Sequence, residues 1–274
     1  MICSNCEHEL RAEDHYCPNC GQGVVEGRDR SFAYLMRETL AEVSSVDSRL
    51  WRSIKGLMLS PGSLSLAFRE GRRRQFLTPI GLFLLANLLY FIAPPATDLQ
   101  LSLYDQYHQQ QYRGLITGWV DDYMASSGLS FEAVASAYEL RIAEVAKLMV
   151  IFHVPFLALV SMLLFTDRKL FYADHFVMAL HYFAFIMIYS TTVSAILKTL
   201  FWLLPDGTGP YIRKLVPFLL AVILVYLIPM FKRAIGVSWW RAIVMFPLFV
   251  AGFLLTHLMF RFVQFVIGFW LISH

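Results

Sequence analysis

The chain has 274 residues, 57% of them hydrophobic and only 16% charged, with 23 Phe, 13 Tyr and 6 Trp. A soluble domain carries about 25% charged residues, so this composition excludes an ordinary water-soluble globule and fits a small polytopic membrane protein. The formal net charge of +3 is too mild to argue by itself for a nucleic-acid partner.

Cys3, Cys6, Cys17 and Cys20 account for all 4 cysteines and form two CxxC pairs. Each pair can fold into a tight knuckle that presents two thiolates to one tetrahedral ion. The spacing predicts a ribbon over residues 1–23 built on a single structural zinc. Two disulfides, or a redox CxxC, form the weaker reading. A redox motif needs no second pair, and the charge bias described below places this end in reducing cytosol. The ribbon carries Arg11 against Glu7, Glu9, Glu13 and Asp14. It would repel phosphates, so nucleic acid is not expected, whereas docking on a cytosolic protein is. No basic and apolar leader precedes the first knuckle, so no signal peptide is expected.

Residues 24–75 predict amphipathic cytosolic or interfacial helices. In 31–43, Phe32, Leu35, Met36, Leu40 and Val43 share a face; 50–59 reads as a second helix, broken at Ser60-Pro61-Gly62. A third short helix ends in Arg69, Arg72, Arg73 and Arg74. Residues 76–274 predict the transmembrane domain. Span one runs over 76–92 and closes at Ala93-Pro94-Pro95. A long outer loop at about 93–144 follows, its last part, 130–144, helical and amphipathic. Span two covers 145–166, with Lys147 snorkelling at its start. Span three, 172–205, has no charged side chain from His175 to Leu197, enough chain to cross about 30 Å of hydrocarbon. Span four covers 215–231. Span five starts near Ala242 and continues past Arg261, as one long tilted helix or as a helix with an interfacial tail. The expected fold is therefore all-α and polytopic, with about five transmembrane helices.

Basic residues set the orientation. Arg69, Arg72, Arg73, Arg74, Arg168, Lys169, Lys232, Arg233 and Arg241 flank one side of these spans. The long loop holds Arg113 and Arg141 against Asp98, Asp105, Asp121, Asp122, Glu132, Glu139 and Glu144. That asymmetry places the N-terminus in the cytosol and the C-terminus outside.

Four stretches carry a resemblance: CSNC with HYCPNCGQ, then SPGSLSLAFREGRRRQFLTP, then ADHFVMALHYFAF. Together they resemble an uncharacterised bacterial family of multi-pass inner-membrane proteins with an N-terminal four-cysteine zinc ribbon. The matching positions are Pro61-Gly62, Gly71 with Arg73, Pro79, Asp174-His175 and His181. The family more often has Glu before the first His, where this chain has Asp174. The resemblance implies a bacterial inner-membrane location and no particular activity.

Asp174, His175 and His181 are the best candidates for a site. Asp174 and His181 are two turns apart on one face, near the level expected for Arg72, Arg73 and Arg74. Such a cluster could hold an anionic lipid head group or simply lock the stalk to the bundle. Asn87, His153 and His257, with Arg261 and Gln264 beyond, form a second polar layer that could line a cavity or bind helix to helix. No catalytic triad, nucleophile elbow, P-loop or HExxH motif occurs, and the sequence leaves enzyme status open. Three functions follow. The first is a membrane scaffold or sensor-like module that docks proteins through the ribbon. The second is a small transporter or channel, which would require a homo-oligomer because five spans enclose little. The third is an enzyme or binder acting on anionic lipid head groups at the cytosolic face.

Overall fold

A computed structural model describes residues 2–3, 8–19, 48–72, 75–93, 101–203 and 209–273; the side chains of 143–148 and 209–213 lie outside that description. The helix expected over 31–43 also lies outside the described residues. The chain divides after Trp51 into two units.

In the first unit, Ile2 pairs with Glu9 in an antiparallel bridge, and the Cys3 amide donates to the His8 carbonyl at 2.9 Å. The chain thus reverses direction across the first CxxC. A second turn is closed by the Arg11 amide, which donates to the Asp14 carboxylate at 2.8 Å. Cys3, Leu10 and Cys17 form a small buried cluster.

The second unit is helical. Helix α1 spans 48–59. Then come α2 (Ser63–Arg69), α3 (Pro79–Ile92), α4 (Leu103–Gln109), α5 (Arg113–Ser127) and α6 (Phe131–Leu164). Helices α7 (Tyr172–Leu203), α8 (Gly209–Val225), α9 (Leu227–Met230) and α10 (Trp239–Ser273) complete the order, with a π-helical turn, Phe231–Ile235, after α9. Among the described residues, three helices are long and apolar enough to cross a membrane: Tyr172–Leu203, Lys214–Ile235 and Trp239–Ser273.

Five spans were expected, and the other two are shorter. Thr78 caps α3 by accepting from the Gly81 amide at 3.1 Å, and Pro79 sits at its first position. The helix therefore starts at Pro79 rather than at Phe76. Its 14 residues measure about 21 Å, less than a hydrocarbon core. The apolar part of α6 is Met149–Leu164. Span four is also interrupted. Pro229 has no N–H to return to the carbonyl one turn earlier, and the helix breaks at Tyr226. The expected outer loop differs most. It contains α4, capped by the Ser102 hydroxyl, and α5, ended by Gly128 in the left-handed conformation. Its last part is the first half of α6, which runs on into span two.

Helix α7 is the central element: α3 and α6 pack on it, and α10 packs on α6. Glycines bring α6 and α10 close. A Cβ on Gly252 would stand 2.5 Å from Val160, and one on Gly268 would stand 2.6 Å from the Tyr138 ring. Gly252, Thr256, Phe260, Gln264 and Gly268 follow one another at one-turn spacing, the pattern of a close helix–helix seam in lipid. Elsewhere in the unit, Leu103, Ile116, Val120, Val134, Tyr138 and Phe265 bury α4 and α5 against the start of α6 and the end of α10.

The segment from Arg52 to Pro79 is clamped onto the end of the bundle where α7 begins and the π-helical turn lies. The Leu77 amide donates to Ser53 Oγ at 2.9 Å, and Tyr226 donates to the Leu57 carbonyl at 2.7 Å. Arg233 donates to the Pro61 carbonyl at 3.0 Å, and Arg69 donates to the Ala234 carbonyl. Between them Gly62 has φ 78°, and a Cβ there would lie 2.8 Å from the Met230 carbonyl oxygen. No other residue type fits without strain. Gly62→Ala should lower stability by about 1–2 kcal/mol from the left-handed backbone alone, and by more once the clash is added. Chemical unfolding in detergent checks this, and a variant as stable as wild type would refute the close docking.

Candidate functional site in the N-terminal half of helix α7

A histidine well inside an apolar helix needs a partner for each ring nitrogen that is cut off from water. His175 and His181 are 1% and 3% exposed, and each is met by a serine from another helix. Ser161 Oγ on α6 lies 2.8 Å from His175 Nδ1, and Ser65 Oγ on α2 lies 2.9 Å from His181 Nδ1. With the Ser65 proton placed on Nδ1, the His181 ring carries its own proton on Nε2. The pair thus ties α2 to α7, and the tautomer with the proton on Nε2 makes His181 a donor on its other side.

His181 lines a cavity of about 220 Å³ together with Leu64, Phe68, Arg72, Phe76, Leu77, Thr78 and Pro79. The floor and walls are largely apolar; the polar groups are the imidazole, the Arg72 guanidinium and the Thr78 hydroxyl. Thr78 Oγ1 already accepts from the Gly81 amide, so its own proton remains to be donated. Arg72 pairs with Glu70, both of them exposed. The cavity therefore offers hydrogen-bond donors and one strong positive charge.

Of the residues expected to cluster, the structure brings Arg72 and His181 to one cavity. Asp174 and His175 are not among its lining residues. The Asp174 carboxylate accepts from the Phe171 amide at 2.9 Å, and the Asp174 amide donates back to the Phe171 carbonyl at 2.9 Å. It is a helix-start cap, where the dipole of α7 also favours a negative charge. Arg73 and Arg74 lie outside the described residues. Ser65, Ser161 and Thr78 were missed in the sequence. Thr78 immediately before Pro79 is a readable cap signal.

Three other cations expected on the inner flank meet a backbone carbonyl, a carboxylate and a ring. Arg168 donates to the Gly236 carbonyl at 2.8 Å, and Arg241 grips Asp167 through both terminal nitrogens. That hydrogen bonding holds the Asp167 carboxyl below its ordinary pKa. Lys232 sits 5.0 Å from the Trp239 ring centroid. In the second polar layer, His153 Nε2 and Thr256 Oγ1 are 2.9 Å apart, and the His153 and His257 rings stack at 5.6 Å. Thr256 spends its proton on the Phe253 carbonyl, so His153 is the donor to it. Asn87 is half-buried on α3.

Cys3 and Cys17 are buried, while Cys6 and Cys20 lie outside the described residues. No group of three or more potential metal ligands occurs among the described residues. The two described thiols, buried side by side with Leu10 on a chain reversal, have the chemistry and setting a four-thiolate zinc would use.

Residues 47–91 match the model of a family described as a protein of unknown function (DUF3667). That range covers α1 to α3, including the clamp and most of the cavity wall. No curated protein and no solved structure matches.

Ser65→Ala would leave His181 Nδ1 buried without a partner. The expected loss is about 1–3 kcal/mol. Ser161→Ala should cost a similar amount through His175. Thermal or chemical unfolding in detergent measures both, and two variants with unchanged stability would refute the pairing.

Proposed function

We propose that this is a multi-pass protein of the bacterial inner membrane that holds the phosphate-bearing head group of an anionic lipid at its cytosolic face. The observation that carries this reading is the cavity shared by Arg72 and His181. Its donors suit a phosphate monoanion, and its apolar walls suit the first methylenes of a lipid. An arginine near a charged membrane surface contributes about 1 kcal/mol of attraction. Arg73 and Arg74 follow Arg72 directly in sequence and add charge to the same stretch. Asp174 and His175 belong to this proposal as the residues that start and anchor α7, on which His181 is carried.

The wider architecture we infer has five spans, with α3 and the apolar half of α6 completing the three longer helices. The basic residues at the inner end favour a cytosolic N-terminus and a C-terminus outside. In the cytosol, residues 1–23 form a zinc ribbon that docks a protein partner. The protein is then a scaffold or sensor-like module whose membrane ligand is the lipid, rather than a nucleic-acid binder.

Three measurements test this. Wild-type protein purified from mixed phosphatidylglycerol and phosphatidylcholine nanodiscs should retain phosphatidylglycerol in native mass spectrometry. Arg72→Gln and His181→Gln should lose most of that retention while still folding. Equal retention of both lipids by wild type would overturn the lipid site, and displacement by inorganic phosphate alone would assign the cavity to a free anion. Elemental analysis should find one zinc per chain; Cys17→Ser should lose it, and a zinc-free wild-type sample would end the ribbon reading. Reporters fused at the two ends should report opposite sides of the membrane, and a cytosolic C-terminal reporter would reject the odd number of spans.

A further inference from the structure

Helices α6 and α10 run antiparallel, and their seam is tight at two places: Gly252 against Val160, and Gly268 against Tyr138 and Ile142. Midway between these glycines the seam position is Phe260, and His153 of α6 meets it, the two rings stacked at 5.3 Å and 9°. Glycines let two backbones close up, whereas a pair of stacked rings holds them apart. Beside Phe260 a cavity of about 330 Å³ lies between the helices, lined from Met149 to Phe156 on α6 and from Met259 to Ile267 on α10. At 1.5 Å per residue that lining covers about 10–12 Å of each helix.

The lining restricts the occupant. Every side chain in it is apolar, and no nitrogen or oxygen faces the cavity. A water molecule would find no hydrogen-bond partner there, and an apolar cavity of about 150 Å³ already admits benzene. This one has room for a longer hydrocarbon. Its rim is open to the side, because Phe152, Phe156, Met259 and Val263 are all exposed. Leu255, Met259, Val263 and Ile267 follow at one-turn spacing on α10, a helix long and apolar enough to cross a membrane. The α6 residues of the lining all fall within Met149–Leu164, the apolar part of that helix. The cavity is thus continuous with a face that touches hydrocarbon. Met149 and Met259, with their flexible thioether chains, let its walls adapt to a chain that bends.

We propose that this cavity takes one acyl chain of a membrane phospholipid, laid along α6 and α10 and held by dispersion contacts alone. It selects for the chain and is indifferent to the head group, since no donor or charge lines it. It is separate from the cavity beside His181, which is lined by α2, α7 and the residues leading into α3, and does not depend on that reading. Phe260 is the wall it shares with the seam. His153, stacked on that ring, is also bonded to Thr256 of α10, so a seated chain steadies the ring that spaces the two helices.

The test uses full-length protein in nanodiscs of phosphatidylcholine that carries a photoreactive diazirine at the middle of one chain. This lipid has no net charge, so a head-group site for anionic lipid does not bias the result. After photolysis the labelled residues are mapped by mass spectrometry. Phe152, Phe156, Met259 and Val263 should take several-fold more label than Ile151 and Leu254, which are exposed on the same two helices but lie outside the cavity. Val263→Trp, which fills the space, should bring Phe152, Phe156 and Met259 down to the level of those two. Even labelling of all six residues in wild type would overturn the proposal. So would undiminished labelling in a folded Val263→Trp protein. A dimer seen by native mass spectrometry in the same nanodiscs, and dissociated by Val263→Trp, would instead assign this face to a second copy of the chain. Should Val263→Trp fail to fold, the wild-type contrast between cavity and control residues decides.

Discussion

Imidazole nitrogens cannot be left bare inside a helix that is enclosed on nearly every side, and this requirement organises the membrane unit. Helix α7 carries two such rings, and the serines that meet them come from α2 and α6. Each bond is modest by itself. Together they fix the rotation of α7 about its own axis and its height against two neighbours that are far apart in sequence. Apolar packing of Leu82, Phe83 and Ala86 on α3 then adds area but little direction, because hydrocarbon side chains gain nearly as much from lipid as from one another. Polar pairs give the bundle its register.

The inner clamp extends the same logic to backbone. Carbonyls at a helix end or beside a π turn lack a partner within their own helix. Arg69 meets Ala234, Arg233 meets Pro61, and Tyr226 meets Leu57. The left-handed Gly62 permits the close approach that these bonds need. The cavity beside His181 is a by-product of this docking: Leu64, Phe68 and Arg72 on one side and Phe76 to Pro79 on the other line it without filling it.

The sequence made some of this legible and hid the rest for definite reasons. Long charge-free runs announced α7 and α10, because length and apolarity are local properties. The stretch from Arg52 to Arg72 was readable as amphipathic, and Arg72 and His181 stood out as polar groups expected at one membrane level. Ser65 and Ser161 could not be read this way. A single serine in an apolar helix is common, and only the neighbour across the interface makes it a histidine's partner. Asp174 invited a role in the site, yet an acidic residue in a first helical turn is equally a cap, and the Phe171 amide takes it for that purpose. The outer segment was misread as mainly loop because α4 and α5 are short and polar on one face. Their signals were Ser102 and Gly128, punctuation that is weak until the buried strip containing Ile116 and Val120 is seen against Phe265.

Helix α10 has 35 residues and α6 has 34, about 52 and 51 Å of continuous helix. Of the two, α10 is apolar enough to cross a hydrocarbon core of about 30 Å and long enough to project past it, while α6 is apolar over Met149–Leu164. The cap is built directly on the ends of these helices: Tyr123 of α5 donates to the Ile272 carbonyl at 2.8 Å, and Tyr138 is seated on Gly268. It has no hinge of its own at that end. A membrane that thins or thickens makes long helices change their tilt. Gly252 against Val160 and Gly268 against Tyr138 hold α6 and α10 close at two places along their length. The α4–α5 cap is thus carried by the same two rods that form the seam, and a change in the angle between them displaces it as one piece.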